Sequence, residues 1–288
     1  MYLSKQNVAL AMATIAVVFA LSIQVTAQTK PTVVFVVSPT DEQDSSVDAV
    51  LMYDRGRFKA PYADENEQQQ KKFAEEFFAS GKQYRLTFGG GEVGSIVLKS
   101  HNVGCNNIHA RASINDSGRI PKQLSALAHS SAKVGAKPSS RRAPTAEERS
   151  AVMQLVQQIY RSRRTPASLL RSLTTTNLTA SDLDGDGKWE MIGSFVIKSK
   201  TGARRDLFLI AEPNNAGFKS AFVEYHSYKP EIEDFHSAID FVDQLDVDGD
   251  GVGEVFTTQR GYDAYGYNIY RKTRGRWHEL LRIVGDAC

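Results

Sequence analysis

Asp182-Leu183-Asp184-Gly185-Asp186-Gly187-Lys188-Trp189-Glu190 and Asp246-Val247-Asp248-Gly249-Asp250-Gly251-Val252-Gly253-Glu254 spell the same pattern, D-x-D-G-D-G-x-x-E. Each is entered from one β-type stretch and followed by three more. After the first come Met191–Ile197, Asp206–Glu212 and Phe218–His226; after the second come Val255–Gln259, Tyr265–Arg271 and Arg276–Val284. The spacing predicts two copies of one unit, a strand, an acidic loop and three strands, filling residues 173–288.

The loop chemistry favours a hard cation. Carboxylates at positions 1, 3 and 5 aim oxygens at one point, and glycine at position 6 permits the sharp bend. Position 7 offers a backbone carbonyl, and the Glu at position 9 closes the shell. Neither loop holds Cys or His, so all-oxygen ligation suits calcium better than zinc. An EF-hand is excluded, because its twelfth position, which needs a bidentate Glu, holds Gly193 in one loop and Thr257 in the other.

On these residues the two units resemble FG-GAP or VCBS repeats, the blades of integrin-α-like β-propellers. The resemblance covers about residues 177–284 and rests on the loop and the strand spacing. It implies two Ca²⁺ sites. The ligands at one would be Asp182, Asp184, Asp186, Lys188 through its carbonyl, and Glu190; at the other, Asp246, Asp248, Asp250, Val252 through its carbonyl, and Glu254. Closed propellers need about 4–8 blades. Two units predict instead a partial, propeller-like pair of four-stranded blades.

Working outward, residues 144–172 read as a helical connector. Pro144-Thr145-Ala146-Glu147-Glu148 opens a helix with a capping box; Val152, Leu155, Val156 and Ile159 give it an apolar face, and Thr165-Pro166 starts a short second helix through Leu170. Residues 117–143, rich in Ser, Ala, Lys and Arg, read as a linker or mobile loop. Residues 28–116 read as a β-rich domain with one helix. Thr32–Val37, Asp48–Tyr53, Tyr84–Phe88 and Ser95–Leu98 are its strands, and the helix is capped at Asp64 and stopped by Gly81. The fold class expected is α+β, mostly β. Gly89-Gly90-Gly91-Glu92-Val93-Gly94 matches a phosphate-loop pattern, but a strand follows it, so a hairpin turn is expected instead of a nucleotide site.

Residues 1–27 read as a secretory signal peptide: Lys5, an apolar run from Val8 to Ile23, then Val25-Thr26-Ala27 as the cleavage site. The expected location is secreted or periplasmic, with no membrane anchorage after cleavage. Removing that segment takes away only Lys5, and the whole chain has Lys+Arg 35 against Asp+Glu 33, so a strongly basic nucleic-acid binder is excluded. Cys105 and Cys288 are too few for a disulfide scaffold but become a candidate pair after export. Asn115 and Asn177 sit in glycosylation sequons.

Two clusters compete for a functional role. Glu224, His226, Glu231, Glu233, Asp234, His236 and Asp240 crowd the connection between the units, either as a charged surface loop or as an acid/base site of an exported hydrolase or lyase. Tyr262, Tyr265, Tyr267 and Tyr270 either cover a core edge or stack a sugar or a partner protein. No nucleophile elbow or zincin motif is present. The expected function is a non-enzymatic binding, adhesion or structural module with a protein or carbohydrate partner, calcium stabilising its loops.

Overall fold

The computed structural model describes residues 30–287 except 41–43, 64–65, 104–106, 117, 119, 136–137, 139, 201, 216, 230–237 and 261–263. The expected signal peptide, Asp64, both cysteines, Tyr262, Glu231, Glu233, Asp234 and His236 therefore lie outside the described residues.

The described chain is mostly β, and its first seven strands form an antiparallel barrel. They are β1 (Thr32–Pro39), β2 (Ser45–Asp54), β3 (Arg57–Lys59), β4 (Gln83–Phe88), β5 (Gly91–Val103), β6 (Ile108–Asp116) and β7 (Ala126–His129). Their order is β1-β7-β4-β5-β6-β2-β3, and β1 also pairs with β2, so six strands close and β3 hangs on the edge. Alternation along β1 explains the closure: Val33, Phe35 and Val37 fill the barrel interior, while Val34 and Val36 face outward into a second core. Helix α1 (Glu67–Phe77), capped by Asn66, contributes Phe73 and Phe77 to the interior.

Here one expectation is corrected. Residues 117–143 are not merely a linker, because they contain β7, which sits between β1 and β4 with all four residues buried. They also supply β8 (Arg141–Arg142), a fifth strand on the sheet of the first repeat, for which four strands were expected.

Helix α2 (Ala146–Ser162) begins at Thr145 with the full capping box, Glu148 bonding back to the Thr145 backbone. It buries Val152, Val156 and Tyr160, one residue per turn. The expected second helix is a single 3₁₀ turn, Leu169–Ser172.

The repeats form two antiparallel meanders, β9 (Leu173–Ser181) to β12 (Gly217–Tyr228) and β13 (Asp240–Leu245) to β16 (Arg276–Ala287). Within them β10 is Glu190–Lys198, β11 Arg204–Asn214, β14 Glu254–Arg260 and β15 Ala264–Thr273. They stack face to face through Ile192, Phe208 and Ile210 on one sheet and Val255, Tyr270 and Trp277 on the other. The outer face of the first sheet, with Met191, Phe195, Leu207 and Leu209, is covered by α2. That of the second, with Val242, Leu245, Phe256 and Ile269, packs on the barrel exterior. Both outer faces are thus occupied, and the expected pair of four-stranded blades is instead a stack of a five-stranded and a four-stranded antiparallel sheet, covered at each side.

Candidate metal centre and adjoining cleft

Both acidic loops join the first strand of a meander to the second, and they fold alike bond for bond. Asp182 accepts from the Gly185 and Gly187 N–H groups at 2.8 and 3.1 Å; Asp246 accepts from Gly249 and Gly251 at the same distances. Asp184 Oδ1 accepts from Asp186 at 3.3 Å, as Asp248 Oδ1 does from Asp250. The position-5 carboxylates accept from Lys188 at 2.7 Å and Val252 at 3.0 Å. Glu190 and Glu254 reach back to the Leu183 and Val247 N–H groups at 2.9 and 3.0 Å. The glycines at positions 4 and 6, with φ between 74° and 97°, make the turn. At positions 3, 5 and 9 one carboxylate oxygen is thus taken by the loop backbone and the other is left for a cation.

Oxygens of Asp182, Asp184 and Glu190 lie within 4.8 Å of one another, as do those of Asp246, Asp248 and Asp250. Such clusters of hard oxygen donors fit a divalent metal ion. Burial, helped by the neighbouring aspartates, pushes Glu190 up to about 7 and Glu254 up to about 8. Negative charge gathered out of water is costly unless a cation neutralises it. Of the expected ligands, Asp186 and Glu254 fall outside these two clusters. Asp186 is exposed, and its bond with Lys188 Nζ at 2.6 Å holds its carboxyl below the usual range. Glu254 is almost fully buried, with Arg271 Nε 3.3 Å from its free oxygen.

The loops touch. Gly253 N–H donates to the Leu183 carbonyl at 2.7 Å. Between them and the Gly89-Gly90 turn lies a cleft of about 420 Å³, lined among others by Ser140, Asp182, Asp184, Trp189, Gln244 and Asp246. That turn is the β4–β5 hairpin connection expected of the glycine run. Position 8 differs between the loops for a steric reason. Trp189 has room beside Arg142, whose guanidinium lies 4.3 Å from its ring, whereas a Cβ on Gly253 would fall 2.0 Å from Gln244 Oε1.

The described members of the competing clusters are drawn into the scaffold. Glu224 and His226 lie on β12, 2.9 Å apart, and Glu224 also accepts from Tyr270 Oη at 2.8 Å and contacts Arg282 at 3.3 Å. Asp240 opens β13 and accepts from Asn177 Nδ2 at 2.8 Å. That amide nitrogen also bonds the Ile239 carbonyl, and a glycan there would replace one of its two hydrogens and so break at least one of these bonds. Tyr267 and Tyr265 bond Asp48 at 2.7 and 3.3 Å, and Asp48 bonds His109 at 2.5 Å. These tyrosines join the second meander to the barrel.

Sequence reading missed Arg271, Lys272, Gln244 and the pair Arg141–Asp243. Arg271 and Lys272 are neighbours on β15 and point to opposite faces: Arg271 reaches Asp248, Asp250 and Glu254, and Lys272 comes 3.8 Å from Asp184. The alternation of strand side chains sends one cation to each loop. No protein-family model, curated protein or solved structure matches this chain.

Proposed function

We propose that this chain is an exported calcium-binding β-repeat protein of the FG-GAP/VCBS kind, a binding or adhesion module in which Ca²⁺ fixes the acidic loops. The observation that carries this reading is the bond-for-bond likeness of the two loops, each with carboxylate oxygens converging within 4.8 Å. An unoccupied surface turn has no need for such duplicated convergence. The stacked meanders supply a propeller-like frame, and the loops sit at one end of it, where ion binding would stiffen the rim of the cleft.

The cleft is the surface offered to a partner. Trp189 supplies an aromatic face, and Ser140 and Gln244 supply polar groups, a combination suited to a carbohydrate or a polar protein segment. The apolar N-terminal stretch supports the export part of this reading, which would place the protein where calcium is plentiful.

An ion that binds only the folded state stabilises it by about 2.7 kcal/mol at roughly 100 times its dissociation constant. Thermal melts in calcium and in chelator should therefore differ by several degrees. Coincident midpoints would sink the proposal.

A further inference from the structure

We propose that Arg271 is the resident cation of the second loop. The chain then takes up one calcium ion, at Asp182–Glu190, and holds Asp246–Glu254 closed without metal. This rests on the reading of the D-x-D-G-D-G-x-x-E pattern as a calcium loop and narrows it to the first copy.

Three carboxylate oxygens of the second loop are left free by its backbone: Asp248 Oδ2, Asp250 Oδ2 and Glu254 Oε1. All three face one guanidinium. Arg271 Nη2 bonds Asp248 Oδ2 directly and Asp250 Oδ2 at 3.1 Å, while Nε sits 3.3 Å from Glu254 Oε1. The guanidinium also packs 4.7 Å from the Phe58 ring of the barrel edge strand. It is therefore gripped between an aromatic ring and the loop. A metal ion drawing on those oxygens must expel it, and the guanidinium would then lose every carboxylate named here.

Among the described residues the first loop has no such occupant. Lys272 lies 3.8 Å from Asp184 Oδ2 but is committed to Glu212 at 2.8 Å. Lys188 bonds Asp186 from an exposed side chain that can swing into water. Surface ion pairs of that kind contribute little, whereas stripping the cation from a partly buried charge cluster, in which Glu254 is almost fully buried, is costly. The same sequence pattern thus gives one open site and one self-neutralised loop.

Isothermal titration of chelator-treated full chain with CaCl₂ decides this, using wild type, Asp184→Asn and Arg271→Gln. Expected are one ion for wild type, two for Arg271→Gln, and affinity at least about a hundredfold weaker for Asp184→Asn. Two ions of similar affinity in wild type, one ion in folded Arg271→Gln, or wild-type affinity in Asp184→Asn would each overturn the assignment. Should Arg271→Gln fail to fold by circular dichroism, the wild-type stoichiometry and the Asp184→Asn arm still decide. If no protein in the set binds calcium, the calcium reading itself falls, a result distinct from two ions in wild type.

Discussion

The backbone N–H of Gly89 donates to both carboxylate oxygens of Asp243, at 3.0 and 2.8 Å, across 154 residues of chain. Arg141 completes the group. Its guanidinium lies 3.4 Å from Asp243 and is flanked by the Phe88 and Phe241 rings at 4.6 and 4.7 Å. A barrel hairpin, the strand added to the first meander and the first strand of the second meander therefore converge on one buried charge pair. Burial pushes Asp243 up to about 6 even against the pull of Arg141, and it depresses Arg141 as well.

Removing either charge alone leaves the other buried and unpaired. Asp243→Asn or Arg141→Met should each cost about 3–5 kcal/mol, and the double variant should cost less than the two summed. Urea unfolding of the four proteins at one pH measures this cycle. Additive losses would mean that the pair is not coupled.

Trp189 stands in the first loop beside Glu190, and the chain's other tryptophan, Trp277, is buried between the two sheets. Calcium binding at the first loop should change the emission of Trp189 alone. The change should vanish in Trp189→Phe and persist in Trp277→Phe. A signal that survives Trp189→Phe would move the ion elsewhere.

The acidic loops and the Thr145 cap were legible because their determinants are local: alternating carboxylates, glycines at the bends, and a Glu three residues after a Thr. The strands of the repeats were legible for the same reason. Strand β7 was not. Ala126-Leu127-Ala128-His129 has little β propensity of its own and is a strand because β1 and β4 flank it. Barrel closure and the fifth strand β8 depend on the same long-range pairing. Arg271 was missed for a related reason. It lies 21 residues from Asp250, and only the meander brings β15 beside the loop.

Gly253 shows how the loop environment dictates a residue that the pattern leaves open. A Cβ there would collide with Gln244, which is itself buried and bonded to Ser140 at 2.9 Å. Gly253→Ala should therefore destabilise by about 1–3 kcal/mol, the usual range for overpacking. Adding Gln244→Ala should recover part of that loss. If urea midpoints show no recovery, the strain lies in the backbone and not in this contact.

His129 ends β7 almost fully buried, facing Val34 on β1 and Arg85 on β4 in the strand register. Burial is the largest influence on it and depresses its pKa from 6.5 to about 4. The folded state therefore keeps the ring neutral where the unfolded chain already takes up a proton. Its contribution is fully present above pH 6.5 and is lost as pH falls toward 4, because the unfolded state gains the extra proton. The loss over that window is about 3 kcal/mol at about 1.36 kcal/mol per pH unit. His129→Gln removes the titrating group while keeping a polar side chain. Unfolding free energies of both proteins between pH 7 and pH 4 should show the wild type falling more steeply. Parallel curves would mean that the ring titrates as it does in water, contrary to its burial.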